Sequence, residues 1–201
     1  MDQLVQAQNQ TVRLARNTLD DSFSRLPADP YAARDVLLRT VPALVDEFGA
    51  IAESVAAEWF SDVYGLRASN ASATFGAERI EGTVRRTAAG LFVEDRSTTL
   101  LGVASKMDKW VKYSGRNAVA ESASRHSLRF ARVPSGAETC DWCLMLASRG
   151  AVYTSADAAA SDYHTDCDCM PVPADGPDDY PSGYDPDALY QRYLDGDLGV
   201  F

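Results

Sequence analysis

The sequence predicts a mainly α-helical chain that ends in a small α+β module and an irregular acidic tail. Three observations predict this class. Apolar residues recur at helical spacing through residues 1–127, all four cysteines fall between positions 140 and 169, and the last stretch is rich in Pro, Gly, Asp and Tyr. The corresponding boundaries are a helical region over 1–127, either a bundle or extended helices, a compact module over 128–173, and a tail over 174–201.

Leu4, Val5, Val12, Ala15, Leu19, Phe23 and Leu26 form one apolar stripe, which predicts a helix over residues 3–26 ended by Pro27 and Pro30. Asp29 is the expected N-cap of a second helix starting at Pro30. Pro42 predicts a bend or restart there, because its ring clashes with the preceding turn. Val41, Leu44, Val45, Phe48, Ile51, Ala52, Val55, Ala56, Trp59, Phe60 and Val63 continue the rhythm to Gly65, a natural stop. The small-residue run GLRASNASATFG reads as a loop, followed by a helix from about Ala77 to Leu91. Ser97 or Thr98 is expected to cap the next helix, which carries Leu101, Ala104, Met107 and Val111 on one face. Gly115 is read as a possible division between that helix and a further one over Arg116–Ser127.

Beyond His126 the pattern changes. Leu128 and Phe130 to Pro134 predict a short strand, with a turn at Pro134-Ser135-Gly136. Further short pieces are expected: a strand near Ala151–Tyr153, a brief helix from Ser155 to about Ser161, and a strand over Cys169–Val172. The tail reads as mostly irregular, with a possible short helix over Asp187–Tyr193.

Composition excludes some classes of function. The net charge of -10 argues against a protein whose main task is coating nucleic acid, since phosphate neutralisation needs surplus Lys and Arg. Much of that charge is local, for residues 172–201 hold seven Asp against one Arg. No apolar run reaches the roughly 18 residues of a membrane span, and the first 25 residues lack the unbroken apolar stretch of a signal peptide. A soluble, non-exported protein without membrane association is the expectation.

The cysteines carry the sharpest signal. Cys140 and Cys143 stand two residues apart, and after twenty residues come His164, Cys167 and Cys169. Two residues between thiolates let one turn of backbone present both sulfurs to one ion, and the second group closes a tetrahedron after a hairpin-like excursion. One structural zinc ion is therefore expected. Five candidates compete for four places: Cys140, Cys143, His164 and Cys167 are the preferred set, with Cys169 as substitute or as a thiol beside the ligands. The alternatives are free, partly buried thiols or a single disulfide. Asp141, Asp166 and Asp168 flank the ligands and are read as solvated loop carboxylates. A module of this size is too small to be held by its own apolar core, and the metal would serve as its staple.

The words around the cysteines carry a resemblance. Arg132 to Ser155 (RVPSGAETCDWCLMLASRGAVYTS), with the later Tyr163-His-Thr-Asp-Cys-Asp-Cys169, resembles the MuF-like minor head proteins of actinobacterial tailed phages, whose shared ending is His-x2-Cys-x-Cys. The likeness is close from Arg132 to Pro173, and the helical half fits in general character. Members usually carry a basic or polar residue between the last two cysteines, where this chain has Asp168. The resemblance implies a minor capsid protein of head morphogenesis, present in few copies, in the head interior or near the portal of the virion and in the host cytoplasm during assembly. It implies the portal protein and/or the major capsid protein as partners. Relatives often labelled capsid maturation proteases make cleavage of scaffold or capsid the alternative.

The residues weigh against an enzyme. Only two histidines exist, and His164 is better used as a ligand. Ser122 and His126 would share a helix face, yet no orienting carboxylate is evident and no HExxH-like helix is present. No catalytic residue is assigned. Lys106, Lys109, Lys112, Arg116, Arg125, Arg129 and Arg132 form a basic series that could meet packaged DNA, although such stripes are more often the wet face of a helix. Tyr180, Tyr184, Tyr190, Tyr193 and Phe201 could anchor the tail on a partner; a disordered spacer is the equal reading.

Overall fold

The computed structural model describes residues 1–69, 76–93, 95–136, 141–155 and 167–196. Among these the chain is mainly helical, with six α-helices and one two-stranded sheet. Helix α1 spans Asp2–Ser24, α2 Pro30–Tyr64, α3 Ala77–Thr87, α4 Arg96–Arg125, α5 Asp141–Ala147 and α6 Pro186–Asp195. Strand β1 spans Phe130–Val133 and β2 Met170–Pro173.

In α1 the buried positions are Leu4, Gln8, Thr11, Val12, Ala15, Leu19 and Phe23, so the stripe is real but includes two polar residues. Helix α2 starts as its sequence signals: the Asp29 carboxylate accepts from the Ala32 amide at 2.7 Å, and Pro30 sits at the first helical position, where its missing N–H costs nothing. It then runs unbroken through Pro42 to Tyr64 and ends on Gly65, whose φ of 65° suits a glycine C-cap. The expected restart at Pro42 is thus corrected: Val41, Leu44 and Val45 are buried on both sides of the proline, and their packing holds the helix together.

Helix α4 also differs from expectation in two ways. Its cap is Asp95, which accepts from the Thr98 amide at 3.0 Å, rather than Ser97 or Thr98. It is continuous across Gly115. A Cβ at Gly115 would lie 2.3 Å from Gln8 Nε2 and 3.0 Å from the Ala52 carbonyl oxygen, so the glycine lets α4 approach α1 and α2. The helix ends through His126 and Ser127, the latter at φ 58°, with the Leu128 amide donating back to the Ala123 carbonyl at 2.9 Å.

Two apolar cores result. One joins Leu19, Phe23, Leu37, Val41, Phe48, Ile80, Leu91, Met107 and Val111 between α1, α2, α3 and the first half of α4. The other joins Leu4, Phe60 and Ala118–Ala120 to Phe130, Val133, Leu144, Met170 and Val172, so the sheet and α5 are built onto the far end of the same helices. Burying these side chains contributes about 1.5–3 kcal/mol for each large one.

The strands pair antiparallel, with Phe130 opposite Pro173 and Val133 opposite Met170. The strand expected at Ala151–Tyr153 reduces to one bridge, in which Phe130 and Tyr153 exchange backbone hydrogen bonds at 2.9 and 3.2 Å. The helix expected over Ser155–Ser161 lies outside the described residues apart from Ser155. Part of the tail folds back. Tyr184 is buried and its hydroxyl donates to the Ala147 carbonyl at 2.5 Å, while the Tyr180 hydroxyl accepts from the Ala151 amide at 3.1 Å. The short helix expected there is α6, with Leu189 buried.

Candidate metal centre

Three sulfurs meet beneath α4. Cys143 is the third residue of α5, and Cys167 and Cys169 stand just ahead of β2. Both of their sulfurs turn into the cluster, and Asp168 between them turns toward α4. Asp168 there pairs with Lys112 of α4 at 3.0 Å, and Ser135 donates its hydroxyl proton to the Asp168 carbonyl. Gly136 lies so close that a Cβ on it would fall 2.7 Å from Asp168 Cβ. The turn at residues 134–136 and the α4 lysine thus hold the cysteine segment from both sides.

The three Sγ atoms lie within 4.8 Å of one another, with Cys143 and Cys167 at 3.3 Å. That separation is too long for a disulfide, whose sulfurs stand about 2.05 Å apart. All three are thiols, 3% exposed or less, with Tyr113 packed against them. Three such atoms can share one ion, and the group could hold a metal ion. Of the five ligands expected from spacing, these three are brought together; Cys140 and His164 lie outside the described residues.

Two buried arginines border the sulfurs. Arg132 of β1 is 1% exposed, and its Nη2 donates to both Cys143 Sγ and Cys167 Sγ at 3.7 Å. Arg116 of α4 is 2% exposed, and its Nη2 donates to the carbonyl of Cys167. Cys167 is held far below the usual thiol range by hydrogen bonds from Cys143 and Cys169, which outweigh burial and are reinforced by Arg116. Cys143 is pushed up by the same sulfur hydrogen bonds and by burial. The three thiols titrate as one coupled group beside the guanidinium of Arg132.

Two members of the basic series read from sequence are not on a wet face: Arg116 and Arg132 are core residues. Lys112 is half-buried and paired, while Arg125 and Arg129 are exposed. The signal for Arg132 was available: a charged residue inside a four-residue strand of otherwise apolar side chains requires a buried acceptor. A polar cleft of about 230 Å³ runs beside the cluster, lined by Arg16, Asp108, Lys109, Lys112, Arg116, Cys167 and Asp168. Asp141 is exposed, and Asp166 is outside the described residues.

Ser122 and His126 do not meet as nucleophile and base. The Ser122 hydroxyl is fully buried, donates to the Ala118 carbonyl at 2.6 Å and accepts from the Ser69 amide at 2.9 Å. His126 turns Nε2 to the Arg67 carbonyl at 2.8 Å, so this nitrogen carries the proton, and the ring stacks near Phe60. Both side chains fasten the segment after α2 to the end of α4.

The family model described as VG15 protein matches residues 1–196. The Gene 15 protein of Mycobacterium phage D29 is 29% identical, in a match covering 33% of this chain and 35% of that protein. The chain therefore spans about a third of the length of that curated relative. No solved structure matches it significantly. None of the described helices is long and apolar enough to cross a membrane.

Proposed function

This chain belongs to the VG15 protein family, matched over residues 1–196, and from that premise we propose that it is a structural component of a tailed-phage particle. The finer reading is a MuF-like minor head protein that assembles with the portal and/or the major capsid protein, in the head interior or near the portal, after a cytoplasmic assembly stage. The observation that carries it is the family match together with the likeness to a mycobacteriophage protein. The site chemistry supports it from another direction. Sulfurs this buried are suited to holding a fold rigid, and Ser122 is already committed to backbone partners.

The metal in this reading is one structural zinc ion. Zinc–sulfur bonds of about 2.3 Å place tetrahedral sulfurs about 3.8 Å apart, and the sulfurs here span 3.3 Å to at most 4.8 Å. Cys143, Cys167 and Cys169 would hold it, with Cys140 or His164 offered by the spacing for the fourth place. The ion would supply a closed crosslink between α5 and the segment before β2, with no open coordination position for chemistry. Basic residues outside the cluster, such as Lys106 and Arg125, leave contact with packaged DNA as an accessory role.

Two measurements test the reading. Mass spectrometry of purified particles is expected to find the chain in filled heads and bound to portal after mild disruption. Its restriction to the lysate, with none in particles, would sink the assembly role. Elemental analysis of protein purified without chelator is expected to find one zinc per chain; thiols freely reactive in the folded, metal-poor protein would defeat the site.

A further inference from the structure

A buried guanidinium is costly unless anionic or strongly accepting groups surround it. Arg132 is among the largest fully buried side chains of the protein, and one of its nitrogens bridges two sulfurs of the cluster at equal distance, 3.7 Å each. It issues from β1, whose antiparallel pairing with β2 fixes Arg132 opposite Pro171. The guanidinium is therefore anchored to the same strand pair that follows Cys169, and it reaches Cys143 on the separate helix α5. Tyr153, whose backbone bridges Phe130, also feels this cation.

We propose that Arg132 is the fixed counter-charge of the metal–thiolate centre, a positioning residue that donates to the sulfurs of Cys143 and Cys167 and orients them toward the ion. The inference rests on the metal reading above. Three thiolates around a divalent cation leave at least one surplus negative charge in a site shielded from water, and the guanidinium offsets it. Arg116 stands behind as a second cation, held to the Cys167 carbonyl. Groups that orient metal ligands through hydrogen bonds typically account for about 10–100-fold in affinity. A guanidinium also serves two acceptors at once better than an ammonium, because its donors are fixed in a plane.

Cobalt titration of the full chain against a competing chelator tests this, with the thiolate-to-cobalt charge-transfer absorption as readout. Arg132→Gln is expected to weaken binding about 10–100-fold and Arg132→Lys by less. Arg129→Met, which removes an exposed cation next to the same strand, is expected to leave affinity unchanged. Wild-type affinity in Arg132→Gln, with lowered thermal stability in metal-free and loaded protein alike, would reduce Arg132 to a packing residue and overturn the proposal. Absence of the charge-transfer band in the wild type would overturn the metal reading, and this inference with it, which separates the two failures. Should the variants not fold, the guanidinium proton resonances of Arg132 in wild-type protein decide. They are expected to shift between the metal-free and cadmium-loaded forms, and unchanged resonances would refute the contact.

Discussion

Lys112 of α4 and Asp168 meet in a 3.0 Å ion pair, and Asp168 is the residue that separates two of the clustered cysteines. The pair is partly exposed, so its own contribution is small, about 0.2–1 kcal/mol. Its importance is positional, because the same Asp168 is pressed from the other side by Gly136 and Ser135. Gly136→Ala is expected to be more disruptive than Lys112→Met. Its Cβ meets the Asp168 carboxylate at 2.0 Å and Asp168 Cβ at 2.7 Å, and no rotation about the Asp168 side chain removes the second clash. Stability is expected to fall by about 1–3 kcal/mol in urea titrations, with faster alkylation of the cluster thiols. Thiol reactivity equal to wild type would show that this turn does not position the cysteines.

Ser122→Ala is expected to act on stability alone. The substitution removes the acceptor of the Ser69 amide in a buried setting, which costs about 1–3 kcal/mol. Chemical denaturation measures the loss. Incubation of wild type and variant with scaffold and major capsid protein is expected to yield no specific cleavage by either; cleavage that disappears in the variant would restore the protease alternative.

Much of this fold was legible as apolar periodicity, and the misreadings have physical causes. The apolar stripe of α1 omits Gln8 and Thr11, because spacing alone does not show that Gln8 packs against a glycine of the facing helix or that the Thr11 hydroxyl is satisfied by the Ala7 carbonyl. Helix α5 carries no periodic signal in the sequence. Its seven residues complete barely two turns, too few to establish a period. In the cluster, the spacing identified the cysteines as a group but not the arginines among them. Local sequence gave Arg116 and Arg132 the look of a surface series; only the crossing of α4 over the strand pair turns them inward. The tail's tyrosines were equally ambiguous until Tyr184 met Ala147, a contact between residues 37 apart in sequence.

Asp95 makes the start of α4 sensitive to pH. Hydrogen bonds from the Thr98 hydroxyl and amide, and more weakly from Ser97, hold its carboxyl below the ordinary aspartate range despite an opposing desolvation effect. A depressed folded-state pKa means that the cap stabilises fully above the unfolded value of about 3.9 and loses that effect as pH falls through the folded value. Asp95→Ala is therefore expected to melt at lower temperature than wild type near neutrality. The gap should close in acid below that range. A difference in melting temperature that stays constant from neutrality to pH of about 3 would rule out the charged cap as its cause.

Gly115→Ala sets two effects of known size against each other. Alanine in a helix interior is favoured over glycine by about 1 kcal/mol, which would stabilise α4 if nothing else changed. Here the added methyl meets the Ala52 carbonyl oxygen at 3.0 Å and Gln8 Nε2 at 2.3 Å, and Gln8 is buried, so its amide cannot swing into water. Neighbouring contacts at Gly49, where a Cβ would lie 2.9 Å from Ser114 Oγ, show the same crossing to be tight on both helices. Overpacking of this kind costs about 1–3 kcal/mol, enough to outweigh the propensity gain. A net loss of about 1 kcal/mol is expected in urea titrations, and Gln8→Ala in the same chain should recover part of it, because the two side chains compete for one space. Strictly additive effects of the two substitutions, or a Gly115→Ala protein more stable than wild type, would mean that Gly115 serves the helix rather than the contact between helices.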